Sequence, residues 1–202
     1  MIRSIIDTIL PTIELLNFAD RVAGIALPVS RKILDDGNQT VTKVFPVYKN
    51  TPEECEGGDY IILTPDDRFK SVIYFEEISS NIESQTNHEY KMIHDIRLVG
   101  WFNLKKINKT VESDTLLRLI LQAMPQSLTV IQETALDVFN VQIRLTGIEN
   151  KSPQLFSSYT YDEAETQYLI FPYDYGALRF TVTYSMNKCV DDITITPNCG
   201  TK

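Results

Sequence analysis

Apolar side chains near the start of the chain recur three and four positions apart, at Ile2, Ile5, Ile6, Ile9, Ile13 and Leu16. This spacing places them along one side of a helix over residues 2–18. Pro11 lies inside the run, and we expect it to kink this helix or to begin a second one. The polar side is acidic rather than rich in Lys and Arg. We therefore expect the stripe to pack on a core and not on a membrane surface.

Further along, apolar positions alternate with polar ones, which predicts strands. Residues 29–48 predict a hairpin with its turn at residues 35–38, and residues 60–63 predict a short strand. Residues 72–78 predict another strand, and the polar residues 79–87 predict a long turn after it.

The longest alternation follows that turn. One face of the predicted strand carries Tyr90, Met92, His94, Ile96 and Leu98. Fully extended, residues 88–107 would span about 60 Å, whereas an ordinary strand has about 5–6 residues. We expect a bulge or bend at Gly100. A hairpin around residues 72–107 is then expected either to bend sharply or to project as an arm.

The second half of the chain predicts one more helix and several strands. Residues 112–124 predict a helix with Ser113 as its N-cap. Residues 128–139 predict a strand or a short helix, and residues 141–145 and 178–186 predict strands. Residues 149–167 predict a polar, aromatic loop, and residues 187–202 predict a C-terminal tail.

This order of elements predicts a single α+β domain over residues 1–202. We expect a mainly antiparallel sheet with a long β-hairpin and two helices packed on one face.

The net charge of −8 argues against a general nucleic-acid binder. Nearly all of the excess lies in residues 51–100, which carry 4 basic and 11 acidic side chains. We expect this segment to be a solvated loop and strand edge. The alternative is that this segment forms a surface that repels DNA. A calcium site is disfavoured because the alternating oxygen ligands and the closing Glu are missing.

Candidate catalytic and metal-binding residues are few. Cys55, Cys189 and Cys199 lack paired spacing, which indicates reduced thiols; a Cys189–Cys199 disulfide is the lesser alternative. His88 and His94 would lie about 20 Å apart on one strand face, too far to share a metal ion. We predict no enzyme activity, no cofactor and no metal site. Acidic residues and Pro11 interrupt the first apolar run, so we expect neither a signal peptide nor a membrane span.

Aromatic side chains concentrate in one region, at Tyr159, Tyr161, Tyr168, Phe171, Tyr173 and Tyr175. They predict either caps over the sheet or a protein–protein contact surface, where Tyr and Phe contribute much of the binding energy. The acidic residues among them disfavour stacking on single-stranded nucleic acid.

Residues 146–153 with the aromatic loop, and residues 171–175 leading into 180–184, resemble tail-terminator and neck proteins of tailed bacteriophages. The resemblance implies a structural virion protein, assembled in the host cytoplasm, that forms a homo-oligomeric ring at the head–tail junction. It also implies docking to other neck, connector or tail proteins, with DNA passing through the lumen.

In that interpretation the contact elements are the predicted turn at residues 79–87 and six side chains, Leu155, Phe156, Tyr159, Tyr161, Tyr173 and Tyr175. Two other hypotheses stay open. The first is a monomeric binding module that recognises a host protein or a small ligand. The second is a hydrolase with a cleft near His94 or Cys55.

Overall fold

The computed structural model describes residues 1–34, 40–49, 60–133, 136–160 and 167–187. Two helices lie in these residues, α1 (Ile2–Glu14) and α2 (Ser113–Ala123). The strands are β1 (Arg21–Ile25), β2 (Leu27–Leu34), β3 (Thr40–Lys49), β4 (Tyr60–Ile62), β5 (Ser71–Gln85), β6 (Glu89–Asn103), β7 (Ser127–Glu133), β8 (Leu136–Asn150) and β9 (Tyr173–Asn187). The α+β prediction is confirmed.

The strands form two sheets. The larger has the order β1-β5-β6-β9-β8-β7, and the smaller has the order β2-β3-β4. Within these sheets only β1 and β5 pair in parallel. The mainly antiparallel sheet is therefore confirmed, and so are the β2–β3 hairpin and the short strand β4. The turn predicted at residues 35–38 lies outside the described residues.

Alternation along β6 sends side chains to two separate cores. Leu98 and Phe102 join a cluster with both helices, which we call the helix-side cluster. Val99 and Trp101 join a second cluster, which we call the loop-side cluster. It includes Leu63, which follows β4, and Leu155 and Phe156, which follow β8. Because successive strand residues point to opposite faces, each buried row supplies one layer.

Both helices pack by the apolar stripes that the sequence predicts. The helix-side cluster includes Ile2, Ile5, Ile6, Ile9 and Ile13 of α1 with Leu116, Leu117 and Ile120 of α2. Full burial of each such side chain contributes about 1.5–3 kcal/mol to the free energy of unfolding.

Helix α1 is one helix with Pro11 inside it, and it ends at Glu14 rather than near residue 18. The Leu16 amide bonds to the Ile13 carbonyl instead of continuing the α-helical pattern, so the last turn tightens and the chain turns away. Ser113 is not the N-cap of α2, since that position is Glu112. A carboxylate of β9, Asp174, accepts the hydrogen bond from the Ser113 amide at 3.0 Å.

The β5–β6 hairpin differs from the prediction in two respects. Residues 79–85 continue β5 as a strand, because each pairs along β6 or lies in a bulge. The turn predicted at 79–87 is therefore wrong over 79–85, and the chain turns at residues 86–88. Both bulges lie in β5, between Glu77 and Ser79 and between Ile82 and Ser84, and not at Gly100. A Cβ at Gly100 would lie only 2.6 Å from Phe102 Cζ. The Phe102 ring therefore leaves no room for a larger residue at this position.

The hairpin is not an isolated arm. Strand β9 pairs with β6 along its whole length, from Glu89↔Asn187 to Asn103↔Tyr173. Strand β8 pairs in turn with β9. Of residues 128–139, for which strand and helix were both open, residues 128–133 belong to strand β7 and residues 136–139 begin strand β8, while residues 134–135 lie outside the described part of the chain. The predicted C-terminal tail, residues 187–202, lies outside the described residues except for residue 187 itself, which ends β9.

Candidate interaction surface

A buried ion pair marks the point where β5 and β6 leave the loop-side cluster. Arg97 Nη2 lies 2.6 Å from Glu76 Oε2, and Arg97 Nε donates to the same oxygen at 2.7 Å. The Tyr159 hydroxyl donates to Glu76 Oε1 at 2.6 Å. Because both charged side chains are buried, their mutual hydrogen bonds offset the cost of removing them from water. Tyr159 thereby holds the segment after β8 against the sheet.

The opposite face of the sheet has a second polar group at the same level. His94 is buried, with Nδ1 2.8 Å from Glu77 Oε1 and Nε2 3.0 Å from the Tyr184 hydroxyl. The His94 and Tyr184 rings also stack, with centroids 5.4 Å apart. Both ring nitrogens are thus engaged within the chain, which suits a histidine that orients its neighbours. The hydrolase hypothesis had placed a cleft here or near Cys55; Cys55 lies outside the described residues.

Beyond these polar groups, one edge of β5 is open. Strand β1 pairs with β5 only from Val72 to Phe75, and the Ala26 amide donates to the Phe75 carbonyl at the end of that contact. Within the described residues no strand pairs with the rest of this edge. Ile78 and Ile82 of that stretch are 53% and 56% exposed. An open edge with exposed apolar side chains is a template for pairing with another chain.

Strand β7 forms the other open edge of the large sheet within the described residues. It pairs with β8 from Ser127↔Gln142 to Glu133↔Leu136, and no strand from the described part of the chain lies on its other side. The two open edges therefore lie on opposite sides of one sheet.

The side chains predicted as contact residues divide between the interior and half-buried positions. Leu155, Phe156 and Tyr175 are buried in the loop-side cluster, with the Phe156 and Tyr175 rings 5.3 Å apart. Their prediction as contact residues is corrected, because side chains enclosed by their own chain are unavailable to a partner. Tyr159 is half-buried by its bond to Glu76.

The two other predicted contact residues are placed differently. Tyr173 is half-buried and stacks on Trp101, with ring centroids 5.3 Å apart. Trp101 Nε1 also donates to the Tyr168 carbonyl at 2.6 Å. Tyr168, Tyr173 and Tyr175 thus pack over the sheet, as one of the two interpretations of this region expected, whereas Phe171 is exposed. Tyr161 lies outside the described residues.

Described acids of the 51–100 segment are largely occupied within the chain. Glu76 and Glu77 bond to Arg97 and His94, and Asp66 forms a 2.6 Å ion pair with Arg68. The hydrogen bond from Arg68, with its positive charge, lowers the pKa of Asp66 below its ordinary value. The expectation of a solvated edge is wrong for Glu76, which is buried. The acids at residues 53–59 lie outside the described residues.

A second surface lies beside the start of α2. A cavity of about 350 Å³ is lined by residues that include Lys109, Lys151 and Phe171. Lys151 Nζ lies 3.4 Å from the buried Asp174 carboxylate. Phe171 and its neighbour Ile170 are 70% and 67% exposed. This combination of charged and apolar groups could receive a small ligand or a side chain of a partner.

The exposed Ile82 was missed because the sequence predicts a turn at residues 79–87, whereas Ile78 was predicted as the last residue of a strand. The available signal was Ile82, an apolar residue in an otherwise polar run, four positions after Ile78. Such spacing is compatible with one strand face, but it is too sparse to outweigh the surrounding serines and asparagines.

Among the described residues, no group of three or more His, Cys, Asp and Glu side chains is placed to hold a metal ion. The helices in the same part of the chain are too short and too polar to cross a membrane. The chain matches no known family model, no curated protein and no solved structure.

Proposed function

We propose that the chain is a structural, non-enzymatic virion protein that forms a homo-oligomeric ring at the head–tail junction of a tailed bacteriophage. It would join neck, connector and tail proteins and let DNA pass through its lumen. The observation that carries the assembly part of this proposal is the open edge of β5, with exposed Ile78 and Ile82, on a sheet whose other end is also open. The place at the head–tail junction rests on the resemblance alone.

Self-association favours a rigid subunit, and the sheet supplies one. At the base of the open part, the Glu76–Arg97 pair links β5 to β6 on one face, and His94 links β6 to Glu77 of β5 and Tyr184 of β9 on the other. A preorganised edge loses less conformational freedom on association than a flexible one. The proposal therefore assigns the contacts to the sheet edges and not to the buried aromatic segment.

Light scattering on the purified native chain over a wide concentration range tests this function. We expect a discrete multimer, and electron micrographs of that species should show closed rings. A species that stays monomeric at every concentration would contradict the proposal. Fluorescence anisotropy with duplex DNA at physiological salt should show no binding, since a lumen that only passes DNA requires no adhesion.

A monomeric binding module is the second candidate function. The cavity beside α2, with Lys109, Lys151 and the exposed Phe171 around it, favours this alternative. It predicts no self-association. A monomer whose thermal stability rises with added small anions or peptides would support the module and not the ring.

A further inference from the structure

Two rows of paired residues cross five strands of the large sheet without a gap. One row is Gln85↔Tyr90↔Met186↔Val138↔Ile131, and the other is Asn81↔Ile93↔Thr183↔Gln142↔Ser127. Residues 81–85 of β5 and 127–131 of β7 therefore lie at the same level of the sheet, on its two opposite edges.

The two edges also run in the same direction. Each neighbouring pair from β5 through β6, β9 and β8 to β7 is antiparallel. Four reversals return the chain to its first direction, so β5 and β7 are parallel to each other. Both edges advance four residues between the two rows, those of β5 including its bulge between Ile82 and Ser84. A translation and rotation of one subunit therefore brings the two stretches side by side at the same level.

The central part of each edge is uncharged. Residues 78–82 of β5 and 127–132 of β7 contain no ionisable side chain. Glu83 of β5 is 2.8 Å from Lys91 of its own hairpin. Proteins that keep an edge strand unpaired commonly place Lys, Pro, inward-pointing charge or a β-bulge on it. These stretches lack the first three, and β5 carries bulges between Glu77 and Ser79 and between Ile82 and Ser84.

We infer that the open edge of β5 in one subunit pairs in parallel with the β7 edge of a second copy of this chain. This inference rests on the proposed function and specifies its interface. The contact is heterologous, because it joins two different surfaces, and repetition of such a contact closes a ring when the rotation allows it. Closure would pair every distal strand and give a continuous barrel of sheet, which removes the open edges.

Lysine substitution of the exposed isoleucine tests the β5 side. Ile82→Lys places a charge on the edge, and the protomer concentration at half-assembly should rise about tenfold or more. Leu34→Lys is the matched control, because Leu34 is a 70% exposed apolar residue on a strand of the small sheet. Its assembly should equal that of the native chain. Equal assembly of Ile82→Lys, with an unchanged melting temperature, would overturn the inference.

Photocross-linking identifies the partner strand. With p-benzoylphenylalanine in place of the exposed Asn81, the cross-linked peptide from the native-size multimer should contain residues 127–133 of the neighbouring subunit. Cross-links from residue 81 to residues 76–85 would show a two-fold β5–β5 contact, and cross-links elsewhere would show another interface. Cross-links elsewhere overturn the strand pairing but leave ring formation standing, whereas a two-fold contact closes a dimer and overturns both. A chain that is monomeric throughout overturns both proposals.

Discussion

The two halves of the β5–β6 hairpin differ sharply in how they are held. In the proximal half, residues 71–76 and 96–103, every residue is buried, and the clusters on the two faces cover the strands. In the distal half, residues 77–85 and 89–95, most side chains are exposed or half-buried, and only His94 is buried. Proximal stability comes from apolar burial, whereas distal stability depends on backbone pairing and the polar contacts at its base.

The largest expected effect comes from removing a proximal ring. Phe102 is fully buried beneath the helices and contacts Phe18 edge-on at a centroid distance of 6.1 Å. Phe102→Ala should lower the free energy of unfolding by about 3–5 kcal/mol. Urea denaturation measures the loss. The control Phe171→Ala removes a 70% exposed ring and should change stability by no more than about 0.5 kcal/mol. Similar losses in both variants would contradict the assigned burial.

The junction between the halves should be nearly as sensitive. Glu76→Ala leaves Arg97 buried without its main partner, and we expect a loss of about 3 kcal/mol in urea denaturation. Replacing both residues by Met should recover most of that loss, because the uncompensated charge is gone. If the double variant were as unstable as Glu76→Ala, the loss would not come from an unpaired buried charge, and the assignment would be wrong.

A smaller effect is expected at the base of the distal half. Tyr184→Phe removes the hydroxyl next to His94 Nε2 but keeps the stacked ring. The free energy of unfolding should fall by about 1 kcal/mol. Ser80→Ala, at an exposed distal position, is the control and should stay within about 0.5 kcal/mol of the native chain. In hydrogen exchange, the backbone amides of residues 89–95 should exchange faster in Tyr184→Phe than in the native chain.

The smallest effect is expected at Asp66, outside the hairpin. Its pKa is lowered chiefly by the hydrogen bond from Arg68, so its contribution to stability is present above the ordinary carboxyl pKa and is lost as the pH falls through the folded-state value. Asp66→Asn should therefore destabilise slightly at neutral pH and match the native chain in strong acid. Urea denaturation at both pH values measures this, and a difference that persists in acid would contradict the assignment.

Local patterns predicted most of the elements correctly. The spacing of Ile2, Ile5 and Ile9 predicted α1, and the alternation around Ile96 and Leu98 predicted β6, because both depend on a periodicity that one segment contains by itself. Segment ends were less accurate. The end of α1 is set by a local hydrogen bond between Leu16 and Ile13 that periodicity does not reveal, and the start of α2 involves Asp174, far along the chain.

Long-range pairing explains what the sequence could not reveal. Residues 79–85 are polar, and their strand conformation follows from pairing with β6 rather than from their own preference. The buried state of Phe156 and Tyr175 also depends on which segments meet over the sheet. A single sequence shows aromatic clustering, but it does not show whether the rings face their own chain or a partner.

The position of β9 has a consequence for how the chain folds. This strand follows all the other described strands in sequence, yet it lies between β6 and β8 in the sheet. Before β9 is synthesised, the β5–β6 and β7–β8 hairpins have no common neighbour, and each exposes an inner edge and an apolar face. Such non-local pairing slows folding and prolongs the exposure of these edges. Nascent chains therefore pass through a stage in which premature contact between copies competes with insertion of the central strand.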